Sequence, residues 1–348
     1  MKIALIINDI EGRGGIEKNY RLWFEGLSKK AEVYLFVLDK PKRYVKNNVI
    51  YLEGNNIRQK GKFLEKKLIE IGEFDLIILN AEYLKKYIPQ HYFISVHNTW
   101  ALKGNIFKKI SKWLKLNSKY RNEDLIGISK SVLDNITDNL KIPVKSKHVV
   151  YAPHDIKQVR NLAEEFEVKE KYIVSVASLR KNKGIDVLIK SFYKIKDNIS
   201  HNLYILGDGP EKKNLIKLTK KLNLEDRVKF LGYKSNPYPY IKNASLFVLA
   251  SRSEGLPRVV VESLILHTPV VCTRSSKGVD EVMVNELQNY VVPIDNVEKL
   301  SEKILLALNE YPKITQKYYQ KFDIENSINT LLSLSTYHET NNTEKDIS

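Results

Sequence analysis

The 348-residue chain has one cysteine, Cys272, and two methionines. A single thiol cannot build a disulfide framework and suits a reducing, cytoplasmic compartment. No group of Cys and His residues has metal-ligand spacing. No apolar run approaches the roughly 20 residues that a membrane-crossing helix needs. The opening "MKIALIINDIEG" meets Asn-Asp and Gly rather than a cleavage site, so it reads as a first strand. Acidic residues are in short supply: 41 Asp and Glu face 57 Lys and Arg, a net charge of +16. Roughly two thirds of that excess lies in the first ~165 residues. A basic surface suits nucleic acid, anionic lipid or phosphorylated substrates, and solvated lysines alone also produce one. The sequence has no helix-turn-helix, zinc or RNA-recognition signature, and no nucleic-acid partner is expected.

What is present is an alternation. Hydrophobic residues make up 43% and charged residues 28%, ordinary for a globular chain long enough for two cores. Short continuous apolar runs occupy 2–7, 32–38, 48–52, 75–80, 92–97, 124–129 and 148–153. A second set occupies 172–177, 202–207, 228–232, 245–251, 269–274 and 289–293. Such runs suit parallel strands buried on both faces. Amphipathic stretches at 16–30, 106–117, 184–196, 210–223, 257–267 and 297–310 serve as crossover helices. The expected fold is α/β, with two doubly wound Rossmann-like domains facing a cleft. The first domain should span 1–165 and the second 166–320, joined through the charged stretch "DIKQVRNLAEEFEVKEK" (155–171). A helix at 321–335 should pack back toward the first domain, and the polar tail 336–348 should be disordered.

Ligands of such folds collect at the carboxyl ends of strands. There "SLFVLASRSEGLPRVVVESL" (245–264) reads as strand, loop and helix, with Glu254 in the loop and Glu262 two turns further on. Gly255 permits an unusual backbone, and Pro257 suits a first helical turn. "SLRKNKGIDVLIKSF" (178–192) sets Arg180, Lys181 and Lys183 before another helix. Cations beside a helix N-terminus can clamp a diphosphate. Gly14 and Gly15 precede the first helix, where a bare backbone can approach a ligand. His97 and Ser129 fall at strand ends, and Glu281 near a helix start.

The paired glutamates with Gly-Leu-Pro between them resemble the motif of family-four retaining glycosyltransferases of the GT-B fold, of the kind that builds bacterial surface glycans. The resemblance covers most of the chain: "LHTPVVCT" is similar to the strand after that helix, and "SLRKNKGIDVLIKSF" and "ILGDGPE" to the start of the donor domain. It implies that Glu254 contacts donor sugar hydroxyls and Glu262 the nucleotide ribose. Gly255, Leu256 and Glu281 join that donor site, with Lys183 on the diphosphate. The usual arginine of a Gly-Arg-Leu element is Ser178 here, and Arg180 is the candidate replacement. Gly15 would lie beneath the diphosphate. Gly14 and Ser129 would touch acceptor or diphosphate, and His97 the donor sugar. Ala152 replaces an asparagine, and His267 a small residue as a packing difference. No Asp-x-Asp occurs, so the metal-diphosphate ligand pair of the other large transferase fold is missing. The implied activity is metal-independent retaining transfer of a hexose or N-acetylhexosamine, in polysaccharide or lipopolysaccharide biosynthesis. UDP-sugars are favoured over GDP-sugars as donors, and a glycan or lipid-linked glycan is the acceptor. Two rivals are a nucleotide-sugar epimerase or hydrolase on the same fold, and a basic nucleic-acid-binding protein.

The stretch "KGNIFKKISKWLKLNSKYR" (103–121) carries a separate message. Ile106 or Phe107, Ile110, Trp113 or Leu114, and Leu116 recur near helical spacing. Lys108, Lys109, Lys112, Lys115 and Lys119 fill the positions between. A basic amphipathic helix with Trp suits an anionic membrane surface, and would place the protein on the inner face of the cytoplasmic membrane. An ordinary helix packed on the first sheet reads the same way.

Overall fold

Thirteen apolar runs become thirteen parallel strands in the computed structural model, which describes residues 1–12, 14–39, 46–102 and 104–335. Contacts divide the chain into two units. One is Met1–Pro153 with the stretch from Phe322 onward; the other is His154–Lys321.

The first unit holds β1 (Lys2–Ile7), β2 (Glu32–Val37), β3 (Val49–Tyr51), β4 (Leu76–Leu79), β5 (Phe93–Val96), β6 (Asp124–Gly127) and β7 (Ser146–Val149). Their order is β3-β2-β1-β4-β5-β6-β7. Leu5 lies opposite Leu35 on one side and Ile78 on the other, and β4 is buried along its whole length. Helices cover both faces, so alternation is unnecessary and the apolar runs are continuous. The helix Ile57–Ile71 was not among the expected crossovers. Only Gly61, Leu64 and Leu68 of it are buried, a stripe too thin to stand out in a lysine-rich segment. The helix Ile324–Ser335 packs on the helix Gly15–Leu27. Ser327 Oγ donates to the Tyr151 carbonyl at 2.6 Å, and Lys30 pairs with Glu325 at 2.8 Å. The tail 336–348 lies outside the described residues.

The second unit holds β8 (Tyr172–Val176), β9 (Asn202–Leu206), β10 (Val228–Gly232), β11 (Leu246–Leu249), β12 (Val270–Thr273) and β13 (Val291–Val292). Their order, β10-β9-β8-β11-β12-β13, repeats that of the first six strands. In each sheet the winding reverses once, between β1 and β4 and between β8 and β11. Such reversals are where doubly wound sheets bind ligands.

The charged stretch expected as a join is not a linker. It contains the helix Ile156–Ala163, whose cap Asp155 accepts from the Gln158 amide at 2.7 Å. Val159 and Ala163, one turn apart, are buried, and the helix packs on the helices Tyr238–Lys242 and Arg258–Ile265. The chain therefore divides at Pro153, ahead of the expected 165. Arg160 fastens this helix: its guanidinium donates to the Tyr319 hydroxyl at 2.6 Å and approaches His267 Nε2 at 3.4 Å. His267 itself turns the chain after the helix Arg258–Ile265 with φ at 60°. Burial and the Arg160 charge both hold the His267 imidazole below its ordinary pKa. Cys272 is buried in β12, and burial pushes its thiol far up, so it behaves as a small core residue.

Candidate active site

The switch point of the second sheet collects the predicted donor residues. β8 and β11 are paired neighbours, so the loops that follow them leave the sheet side by side. After β8 the chain passes Arg180 and makes a single tight turn, Lys181–Lys183, before the helix Ile185–Ile195. Gly184 joins the two with φ at 62°, and a Cβ there would meet the Ala250 carbonyl oxygen at 1.9 Å. Only glycine lets the two loops approach so closely.

After β11 the chain runs through Ala250–Pro257 into the helix Arg258–Ile265, with Pro257 at the cap rather than inside the first turn. Glu254 Oε1 accepts from Lys183 Nζ at 2.7 Å and from Ser251 Oγ at 2.6 Å. Both charged side chains are largely covered, at 22% and 14% exposure for Lys183 and Glu254. Glu262 is buried on the following helix, and the Tyr238 hydroxyl donates to its Oε1 at 3.3 Å. Burial first, and the Glu262 charge second, raise the Tyr238 hydroxyl well above its ordinary pKa, so it stays a donor. Leu256 is buried, and the Gly255 carbonyl accepts from Ser276 Oγ at 2.7 Å. A Cβ on Gly278 would meet that same carbonyl at 2.3 Å, so the helix Lys277–Val282 lies directly against the glutamate loop. Glu281 is half-buried on that helix, and its charge acts on Lys321. Arg180 is exposed at the start of the tight turn.

Sequence reasoning missed Arg252, which holds this assembly. Its amide donates to the Asn182 carbonyl at 2.8 Å, and one guanidinium nitrogen to the Lys181 carbonyl at 2.5 Å. Two parallel bonds of 2.9 and 2.8 Å join it to Asp186, and Nε reaches Asp295 at 2.6 Å. The bonds to Asp186 lead in raising the Arg252 pKa. Burial opposes ionisation of Asp186, but Arg252 prevails and holds that carboxyl below the usual range. A lone Arg inside "SRSEG" gives no signal of partners some 43 to 71 positions away.

The first unit gathers a different set. Gly14 caps the helix Gly15–Leu27, and Asn19 of that helix lies 3.2 Å from His97 Nδ1. The Tyr20 and Trp23 rings each stand 5.9 Å from the imidazole, which is buried just beyond β5. Ser129 is fully buried and caps the helix Lys130–Asp134, accepting from the Val132 amide at 3.3 Å. That is a structural employment for a hydroxyl expected to meet acceptor or diphosphate.

The basic stretch forms the helix Ile106–Tyr120, and Lys103 lies outside the described residues. Leu116 and Tyr120 are buried, and Trp113 Nε1 donates to the Leu140 carbonyl at 2.8 Å. Phe107 is 78% exposed, and Ile106, Ile110 and Leu114 are 61, 50 and 55% exposed. The helix thus has two apolar faces, one packed and one in solvent, with Lys108, Lys109, Lys112 and Lys115 exposed beside the second. Among the described residues no helix is long and apolar enough to cross a membrane. Nor does any group of three or more His, Cys, Asp or Glu among them have a metal-holding arrangement.

Residues 159–323 match the family described as glycosyl transferases group 1. A Campylobacter jejuni protein is 32% identical over 222 residues, 63% of this chain and 60% of its own length. It is named N-acetylgalactosamine-N,N'-diacetylbacillosaminyl-diphospho-undecaprenol 4-alpha-N-acetylgalactosaminyltransferase. An uncharacterized glycosyltransferase of Methanocaldococcus jannaschii is 31% identical over 215 residues, 59% of this chain and 48% of that protein. The chain thus spans only about half to 60% of these relatives' lengths. The structure of Anabaena Alr3699/HepE in complex with UDP superposes with a TM-score of 0.75, covering 96% of this chain and 99% of that one. At 16% identity that likeness is one of fold. The match to the group 1 glycosyl transferases lies almost wholly within the second unit, and the two Rossmann-like units together have the GT-B fold.

Proposed function

We propose that the chain is a retaining glycosyltransferase, independent of metal. It moves a hexose or N-acetylhexosamine from a UDP-sugar to a glycan or lipid-linked acceptor in surface polysaccharide or lipopolysaccharide biosynthesis. The observation that carries this reading is the Lys183–Glu254 pair at the β8/β11 switch point, with Glu262 on the next helix. Lys183 and Arg180 supply positive charge for a diphosphate, helped by the amides of the tight turn. Glu254 accepts hydrogen bonds from sugar hydroxyls, and Glu262 from ribose hydroxyls, with Tyr238 orienting it. In the first unit, Gly14 and Gly15 open the backbone to substrate, and His97, beside Asn19, is the candidate side chain for a sugar hydroxyl. As the anomeric C–O bond breaks, electrons pass to the diphosphate, where these cations meet the developing charge. The acceptor hydroxyl gives its proton to the leaving diphosphate oxygen and attacks from the same face.

UDP in the Anabaena structure supports the donor class. The diphospho-undecaprenol in the Campylobacter relative's name supports a lipid-linked acceptor. The solvent face of the helix Ile106–Tyr120 supports peripheral docking on an anionic membrane surface.

The test is a thermal-shift screen of sugar nucleotides, followed by transfer to a lipid-diphosphate glycan. A UDP-sugar should stabilise the protein and turn over only when acceptor is added. Rapid turnover of donor alone would favour an epimerase or hydrolase. Salt-sensitive duplex binding with no sugar-nucleotide binding would overturn the reading in favour of a nucleic-acid-binding protein.

A further inference from the structure

We propose that Arg252 is a positioning residue that sets the Lys183–Glu254 geometry without itself touching the donor. The inference rests on the donor-site reading above. The two groups come from loops 71 positions apart in the chain. Two contacts register those loops against each other. One is the approach of Gly184 to the Ala250 carbonyl, which fixes their separation. The other is Arg252, which fixes their sliding. Its side chain leaves the glutamate loop two residues before Glu254 and grips the segment Lys181–Asp186 at a backbone carbonyl and a carboxylate. Its own amide adds the Asn182 carbonyl.

The planar guanidinium makes this grip directional. Two parallel bonds to one carboxylate allow neither rotation nor translation, unlike a single point charge. Asp186 sits in the first turn of the helix Ile185–Ile195, where a negative charge is favoured by the unpaired amides. Asp295, on the loop after β13, holds Nε and completes the fork from a third segment. Lys183, three residues before Asp186, and Glu254, two after Arg252, are thereby carried on one brace. Removing the fork leaves both side chains chemically intact and lets their loops shift relative to each other.

The experiment is a double-mutant cycle. UDP and UDP-sugar affinities are measured by calorimetry for the parent, Lys183→Ala, Glu254→Gln and the pair, then repeated with Arg252→Ala. With Arg252 present, the two substitutions should be coupled in UDP-sugar binding by about fivefold or more. With Arg252→Ala the coupling should fall below about twofold, and UDP-sugar should bind about tenfold more weakly. Arg252→Lys, which keeps charge but not the fork, should recover only part of the coupling. Should Arg252→Ala lose cooperative folding, Asp186→Asn takes its place in the cycle with the same expected loss of coupling. Coupling unchanged in a folded Arg252→Ala or Asp186→Asn protein would overturn the proposal. That failure is distinct from failure of the site itself, which would show as parent-like UDP and UDP-sugar affinity in Lys183→Ala and Glu254→Gln alone.

Discussion

At the scale of single residues, the proposed site rests on three side chains with separable effects. Glu254→Gln keeps the size of the side chain and removes its charge. Turnover should fall roughly ten- to a thousandfold while the fold survives, because a carboxamide does not reproduce charge-assisted bonds to sugar hydroxyls. An unchanged transfer rate would remove Glu254 from the site. Glu262→Gln should act chiefly on nucleotide affinity, which binding of free uridine nucleotides would measure. Lys183→Ala should weaken UDP and UDP-sugar alike, by about tenfold, since the diphosphate is common to both. These three candidates were legible in the sequence because a short motif carries each of them. Arg252 and Asp186 were not. Their significance lies in a bond between residues 66 positions apart, which no local spacing encodes.

Elements show a similar division. The periodicity of "NIFKKISKWLKL" specifies a helix but not which apolar face is packed. In the structure, Leu116, Tyr120 and the Trp113 indole face the protein, while Ile106, Phe107, Ile110 and Leu114 face solvent. Vesicles rich in anionic lipid should bind the protein more than neutral ones, and rising salt should reduce the difference. Phe107→Ser should weaken vesicle binding while leaving the melting temperature and soluble-acceptor transfer near the parent's, because so exposed a ring contributes little to the core. Equal binding to both vesicle types would return the helix to an ordinary solvated role. A second element-scale prediction concerns the amino ends of β5, β6 and β7. Burial alone would raise the Asp124 pKa, but hydrogen bonds from His91, Lys145 and Ser146 outweigh it and hold the carboxyl at about 2. Its native pKa is thus below the ordinary 3.8. The stability it contributes is therefore fully present above about pH 4 and disappears as the pH falls toward 2. Asp124→Asn should be less stable than the parent at neutral pH, and the two should converge in acid unfolding curves below about pH 2.

The whole molecule is two doubly wound units, and a ligand of the β8/β11 switch point should act on one of them. UDP at a hundredfold excess over its dissociation constant should stabilise that unit by about 2.7 kcal/mol. Hydrogen exchange should show the protection at 177–184 and 250–257, the loops around Lys183 and Glu254. Protection spread evenly over every strand, with none concentrated there, would place the nucleotide elsewhere. By itself the sequence determined the class of fold, since continuous apolar runs separated by amphipathic stretches leave little choice but parallel strands with helical crossovers. It also singled out the paired glutamates and the lysine before the helix Ile185–Ile195 as candidates, because they stand in contiguous motifs. Tertiary structure alone decided the rest. It turned a charged stretch expected as a linker into a packed helix, because two apolar residues one turn apart suffice when neighbouring helices supply the other wall. It assigned Ser129 to a buried cap and left one apolar face of the helix Ile106–Tyr120 in solvent. It brought Lys183 to Glu254 and braced both through Arg252, since strand order, not chain order, decides which loops become neighbours.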